Sequence, residues 1–105
     1  HKESPKNVEN HRKYLDTPIT PQWIHRPQDV EVRPGHGVNL TCTAKGNPPP
    51  QLRWLTQYHR PINDLTDKES ILLLTDITEP ASYICRANNS MGVIQHAVQV
   101  RVKSN

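Results

Sequence analysis

Cys42 and Cys85 have the most definite chemistry in this chain of 105 residues. Each lies at the inward phase of an alternating segment and they are 43 positions apart. On facing strands of two stacked sheets, such a pair could form a disulfide across a sheet separation of about 10 Å. The alternative is two buried free thiols in a cytosolic protein. A bridge would stabilise the fold by roughly 4 kcal/mol and indicate an oxidising compartment.

No other residues form a recognisable catalytic or metal-binding motif. The sequence lacks Gly-x-Ser-x-Gly, His-Glu-x-x-His and a glycine-rich phosphate loop. Asp64, Asp67 and Glu69 form a small acidic group, but its spacing lacks the glycine and the closing glutamate of a calcium loop. A solvated loop is the favoured interpretation. We therefore expect no catalytic residue, no metal site and no cofactor.

Two sequons, Asn39-Leu40-Thr41 and Asn88-Asn89-Ser90, match the N-x-[ST] pattern of N-glycosylation. Alternation with inward neighbours predicts that Asn39 and Asn88 point outward from their strands. In a secreted chain both are predicted glycosylation sites. Asn89 is interpreted as structural, because an asparagine in a tight turn can bond its own backbone two residues further on.

The elements that must position these residues are predicted to be short β-strands. Ten prolines are spread along the chain, and each internal proline opposes a helix. About seven short alternating segments separated by turn residues indicate an all-β sandwich or barrel. No apolar stretch is long enough to span a bilayer. The sequence does not open with an apolar segment, so no signal peptide is expected. The net charge of +3, without a basic cluster, argues against a nucleic-acid partner.

The organisation along the chain changes near residue 21. Residues 1–20 show no apolar periodicity and nearly balanced charge, so they are predicted to be a flexible tail or linker. The alternative there is a basic arm made by His11, Arg12 and Lys13. Residues 21–105 carry the alternating segments and are predicted to form one domain.

Trp54 lies twelve residues after Cys42, and Tyr83 two residues before Cys85. Together with segments 34–42 (PGHGVNLTC), 46–54 (GNPPPQLRW) and 83–92 (YICRANNSMG), they make residues 21–103 similar to an I-set immunoglobulin-like domain. The resemblance implies an immunoglobulin-like two-sheet Greek-key sandwich (I-set or C2-like) with one inter-sheet disulfide, Cys42–Cys85. It also implies a core containing Trp54, Tyr83 and Leu74, with the Tyr83 hydroxyl bonded to upstream backbone.

Two positions depart from the family pattern. Glu79 replaces the aspartate that usually precedes the tyrosine by four residues, which puts the ion pair of that aspartate with an arginine in doubt. The segment between Trp54 and Leu72 is short for the set. Strands C′ and D are therefore expected to be reduced or absent.

Segments 37–42, 74–83 and 92–94 resemble the membrane-proximal third immunoglobulin-like domain of LAR-type receptor tyrosine phosphatases. That resemblance implies an extracellular module of a cell-surface adhesion or signalling receptor, which recognises a protein ligand in cell adhesion, axon guidance or synapse formation. Any phosphatase activity would lie in a cytoplasmic part absent here. The chain would meet the membrane only through a transmembrane segment that is also absent.

Three hypotheses for the binding role stay open. The outer face of the C–F–G sheet is predicted to bind protein through Arg53, Leu55, Ile84 and Arg86, a mixture common at interfaces. Alternatively, the module is a spacer in a longer ectodomain. The other sheet is expected to expose Ile71 and Leu73, although ordinary surface is an alternative for both faces. The third hypothesis is binding of a sulfated glycan such as heparan sulfate, through Arg26, Arg33, Arg101 and Lys103 with Arg12 and Lys13 of the tail.

Overall fold

A computed structural model describes residues 17–104 of the chain; the predictions for residues 1–16, including Arg12 and Lys13, lie outside that range. The described part contains eight strands and no helix. The strands are β1 (Ile19–His25), β2 (Val30–Val32), β3 (His36–Asn47), β4 (Gln51–Thr56), β5 (Thr66–Asp67), β6 (Glu69–Ile77), β7 (Ala81–Asn89) and β8 (Gly92–Val102).

The strands form two sheets, which confirms the all-β, two-sheet prediction. The three-stranded sheet has the order β1-β3-β6, and the five-stranded sheet has the order β2-β8-β7-β4-β5. Neighbours are antiparallel except β2 and β8, which are parallel. Pro27 lies between β1 and β2, where the chain leaves the first sheet for the second. Because proline cannot donate to a ladder, this is a position where strand pairing ends.

The core lies between the sheets and is built from the inward phase of each strand. Leu40, Cys42 and Ala44 alternate along β3 and are buried. Cys42 is joined by a disulfide to Cys85 of β7 with a Cα–Cα distance of 6.8 Å, so the bridge connects the two sheets. Trp54 has 0% exposure, and its Nε1 donates to the Ser70 carbonyl at 3.2 Å. The only polar group of the indole is thereby satisfied inside the core.

Tyr83 and Leu74 pack against this core while partly exposed. The predicted corner hydrogen bond of Tyr83 is not formed: within residues 17–104 its hydroxyl has no hydrogen-bond partner. No buried side-chain polar atom of the described part lacks a partner, so this hydroxyl is not fully buried. Glu79 is exposed, and the one salt bridge between described residues joins Arg101 and Asp29. The family's aspartate–arginine pair is therefore missing, as the substitution suggested.

The edge of the sandwich between β4 and β6 is short. β5 contains only two residues, Thr66–Asp67, and the three-stranded sheet ends at β6. In the described part, strand C′ is thus reduced to β5 and strand D is absent, as the short segment predicted. The chain turns from β5 into β6 at Lys68, which has a φ of 68°.

Candidate functional site

The candidate recognition surface is the outer face of the five-stranded sheet, formed by β4, β7 and β8. The strand register places Arg53 of β4 opposite Arg86 of β7, and Arg86 opposite Gln95 of β8. Arg53 is partly buried and Arg86 is exposed. The sequence predicted both arginines on this face, and the structure places them side by side. We call Arg53 and Arg86 the arginine pair.

Arg53 is held by the segment that follows β4. Its Nε donates to the Asn63 carbonyl at 3.1 Å. The Asn63 side chain accepts from the Trp54 backbone N–H at 2.9 Å and donates to the Ile71 carbonyl at 3.2 Å. It also donates to the Ser70 hydroxyl at 3.3 Å. The Asn63 side chain therefore joins β4 to β6 at the edge where strand D is absent. The Asn63 backbone carbonyl holds Arg53 in place.

Sequence reasoning missed Asn63. The available signal was the shortness of the segment between Trp54 and Leu72, which must close the edge of the sandwich without a full strand. An amide side chain is suited to this position because it accepts and donates at once. Many residues of that segment are polar, however, and spacing alone does not distinguish among them.

The arginine pair has no acidic partner in the described part of the chain. The Arg86 Nε donates to the neutral Gln95 amide oxygen at 3.1 Å, just as Arg53 donates to a backbone carbonyl. No described carboxylate lies within salt-bridge distance of either guanidinium. Like charges directly opposite on neighbouring strands are unfavourable. The surface therefore carries a localised, uncompensated positive charge.

Leu55 was expected on this face, and that expectation is wrong. Leu55 is only 2% exposed, next to the inward Trp54. The physical reason is the turn after β4, in which Thr56 accepts from the backbone N–H groups of Tyr58 and Arg60, and Pro61 returns to bridge Leu55. The turn shields the outward side of β4 at this point. Ile84, which is opposite Leu55, stays partly exposed and is the aliphatic neighbour of the pair.

Asn89 ties the end of this surface together, as its sequence position suggested. Its Oδ1 accepts from the Met91 N–H at 2.8 Å, two residues further on. Its Nδ2 donates to the carbonyls of Ile19 at 2.9 Å and Pro48 at 2.8 Å. The neighbouring Asn88 is exposed on the outer face, two residues from Arg86. Its predicted glycosylation would place a sugar beside the arginine pair.

Three of the four residues proposed for sulfated-glycan binding, Arg33, Arg101 and Lys103, lie together at one end of the β2–β8 pair, whereas Arg26 follows β1. Arg33 and Lys103 follow β2 and β8 at the same end of the parallel pair, where the Lys103 N–H donates to the Val32 carbonyl at 2.7 Å. Arg101 is opposite Glu31 and forms a salt bridge with Asp29 at 3.7 Å. Asp29 and Glu31 therefore compensate part of the positive charge at this end, at Arg101. Arg26 comes directly after β1 and lines a surface depression together with His96 of β8.

Asp64, Asp67 and Glu69 line one open surface depression. Asp67 accepts a hydrogen bond from the Gln51 amide at 3.5 Å. In the range 17–104, no cluster of three or more histidine, cysteine or acidic side chains could hold a metal ion. None of the described residues forms a helix long and apolar enough to cross a membrane.

Comparison with known proteins agrees with this geometry. The immunoglobulin I-set domain model matches residues 21–102, so the chain belongs to the I-set immunoglobulin family. The chain is 36% identical over 88 residues to receptor-type tyrosine-protein phosphatase S of Gallus gallus, a match that covers 82% of this chain and 6% of that protein. It is 32% identical over 95 residues to tyrosine-protein phosphatase Lar of Drosophila melanogaster, covering 87% of this chain and 5% of the relative.

A solved titin M10–obscurin-like 1 immunoglobulin complex contains a chain of similar fold. The TM-score is 0.71 at 28% identity, covering 85% of this chain and 98% of that one. The predicted resemblance to LAR-type receptor phosphatases is thus confirmed at the level of family. The chain spans only about a twentieth of those relatives. The immunoglobulin domain is a non-catalytic fold, and the phosphatase activity named for the relatives belongs to other parts of them.

Proposed function

We propose that this chain is an extracellular recognition module of a cell-surface adhesion or signalling receptor, and that the arginine pair binds acidic side chains of a protein ligand. The observation that carries the proposal is the opposed placement of Arg53 and Arg86 without a described carboxylate partner. Within a LAR-type receptor, segments 37–42, 74–83 and 92–94 favour the position of the third immunoglobulin-like domain.

The chemistry of the pair favours a carboxylate-bearing protein. Each guanidinium presents a planar set of donors that matches a carboxylate in a bidentate arrangement. In both arginines a single Nε contact is recorded to a neutral oxygen, so the terminal nitrogens stay available to a partner. An acidic ligand would also relieve the repulsion between the two charges. Partly exposed Ile84 adds apolar area beside them, a combination common in interface cores.

Two alternatives remain in competition with this proposal. Binding of heparan sulfate would use the same positive charge and would weaken steeply with salt. A passive spacer would need no ligand at all. The compensation of Arg101 by Asp29 and Glu31 favours the protein ligand, because a polyanion binds best to an uncompensated basic surface.

The test is a binding screen with a multimerised form of the chain. The protein is secreted from animal cells, multimerised, and applied to cells that each display one extracellular protein. At least one displayed protein should bind the wild type. Its binding should be lost when Arg53→Glu is combined with Arg86→Glu. Arg26→Glu combined with Arg33→Glu is the matched control, with the same change of charge elsewhere, and should retain binding.

Other outcomes separate the alternatives. Equal binding by the Arg53→Glu/Arg86→Glu variant, with its fold intact by circular dichroism, overturns the use of this face. Binding to all cells that disappears after heparinase treatment supports the sulfated glycan instead. Absence of any binding partner in the screen supports the spacer.

A further inference from the structure

The outer face of the three-stranded sheet exposes an apolar strip on β6. Ile71 is 47% exposed and Leu73 is 67% exposed, as the sequence predicted. The two side chains lie two residues apart on the same face of the strand. Both are directly opposite residues of β3: Ile71 opposite Thr41, and Leu73 opposite Asn39. Together they form an exposed apolar spot of the kind that a bound group can cover.

Asn39 is the first residue of the sequon that ends at Thr41. It is exposed, and its side chain makes no hydrogen bond to any residue in the described range, unlike the fully engaged amide of Asn89. Directly opposite residues on antiparallel strands have Cβ atoms about 4.5–5.5 Å apart. A sugar attached to Asn39 therefore starts beside Leu73, within reach of Ile71.

We propose that Asn39 carries an N-linked glycan, and that its first N-acetylglucosamine packs its C–H face on Leu73 and Ile71. The surroundings of the strip fit a neutral, partly apolar occupant. The outward neighbours of the strip on β3 are Asn39, Thr41 and Thr43, which are uncharged. This differs from the arginine pair on the other sheet. Glu69 lies two residues before Ile71 on the same face of β6, at the end of the strip away from Asn39. The glycan would make the β1-β3-β6 face a shielded surface rather than a recognition surface.

This inference does not depend on the ligand of the arginine pair. It concerns the other sheet, and its experiment requires no binding partner. The chain is secreted with high-mannose glycans in an Asn88→Gln background, so that Asn39 is the only sequon left. One portion is trimmed with an endoglycosidase that leaves the first N-acetylglucosamine. Another portion is treated with an amidase that removes the whole glycan and leaves aspartate at position 39, so an unglycosylated Asn39→Gln protein, which adds no charge, is measured beside it.

The expected results are a mass corresponding to one glycan and a difference between the two digests. The portion that keeps one sugar should bind the dye ANS as weakly as the untreated protein. The fully deglycosylated portion should bind more ANS, because Leu73 and Ile71 are then uncovered. In an added Leu73→Thr background, full deglycosylation should no longer raise ANS binding. Nuclear Overhauser contacts between the sugar protons and the Leu73 methyl groups should be visible in the single-sugar form.

Several results would overturn the proposal. A mass without any glycan in the Asn88→Gln background shows that Asn39 is not modified. A glycan whose complete removal leaves ANS binding unchanged shows that it points away from the strip. If deglycosylation changes nothing but the glycosylated protein forms a dimer that Leu73→Thr dissociates, a second copy of the chain covers the strip instead.

Discussion

The two outer faces of the sandwich differ in what they leave unsatisfied. The face of β4, β7 and β8 leaves charge uncompensated, at Arg53 and Arg86. The face of β1, β3 and β6 leaves apolar area uncovered, at Ile71 and Leu73. An uncompensated charge attracts a dissociable acidic partner, whereas an exposed aliphatic strip beside a sequon is suited to a permanent cover. We therefore propose recognition at the first face and shielding at the second.

Both faces depend on the bridge that holds the sheets together. Replacing Cys42→Ala together with Cys85→Ala should lower the free energy of unfolding by about 4 kcal/mol, because the reduced chain gains loop entropy when unfolded. Denaturant unfolding of the variant and the oxidised wild type measures the difference. The wild type unfolded in reductant is the control and should match the variant. A loss below about 1 kcal/mol would contradict the stabilising role of the bridge.

Asn63 supports the recognition face more than the shielded one. Asn63→Ala should lower the free energy of unfolding by about 1–3 kcal/mol, because the Trp54 N–H and the Ile71 carbonyl lose their hydrogen bonds to the Asn63 side chain. The same change should weaken ligand binding, because the loop carbonyl that holds Arg53 is released. Asn39→Ala in protein made without glycosylation is the matched control and should stay within about 0.5 kcal/mol of wild type. Equal stability of the two variants would show that Asn63 does not close the edge.

Repulsion within the arginine pair should lower the free energy of unfolding, although the pair is needed for ligand binding. Arg86→Glu places a carboxylate opposite Arg53 and should raise the free energy of unfolding by about 0.2–1 kcal/mol while abolishing ligand binding. Arg101→Glu is the control; it removes the contact with Asp29 and should not raise stability. Thermal unfolding and the cell-binding assay together provide the readout. An Arg86→Glu variant that is less stable than wild type contradicts the assigned repulsion.

The smallest effect is expected on the shielded face. Leu73→Thr should change the free energy of unfolding by less than about 0.5 kcal/mol, because Leu73 is already largely exposed. Threonine is β-branched and fits an exposed strand position. Denaturant unfolding of protein without glycans gives the comparison. A loss above about 2 kcal/mol would show that Leu73 packs in the core instead of on the surface.

Period-2 alternation predicted the central strands well because burial there repeats strictly. Cys42, Trp54 and Cys85 lie in the core as the alternation required, and Asn39, Ile71 and Leu73 point outward. The short segment after Trp54 correctly predicted the loss of strand D. The predictions from alternation use local information only, since a residue's neighbours along the strand decide which face it occupies.

The failures arose where distant segments meet. Leu55 has the outward phase, but Pro61 and its turn shield it, and alternation along β4 contains no information about that turn. Asn63 and the opposed register of Arg53 with Arg86 likewise depend on how strands and loops are paired. The Tyr83 hydroxyl shows the opposite error, because the family pattern predicted a tertiary contact that this chain does not form.

The division of labour between the faces is tested most directly by adding a glycan to each face in turn. In an Asn88→Gln background, Gln95→Asn with Ala97→Thr creates a sequon on the recognition face and keeps both arginines, and Thr43→Asn with Lys45→Thr creates one on the shielded face. Both proteins are secreted, checked by mass for the added glycan, and applied to the cell displaying the ligand. The glycan on β8 should abolish binding, and the glycan on β3 should leave binding unchanged. Loss of binding only with the glycan on β3 would contradict the account.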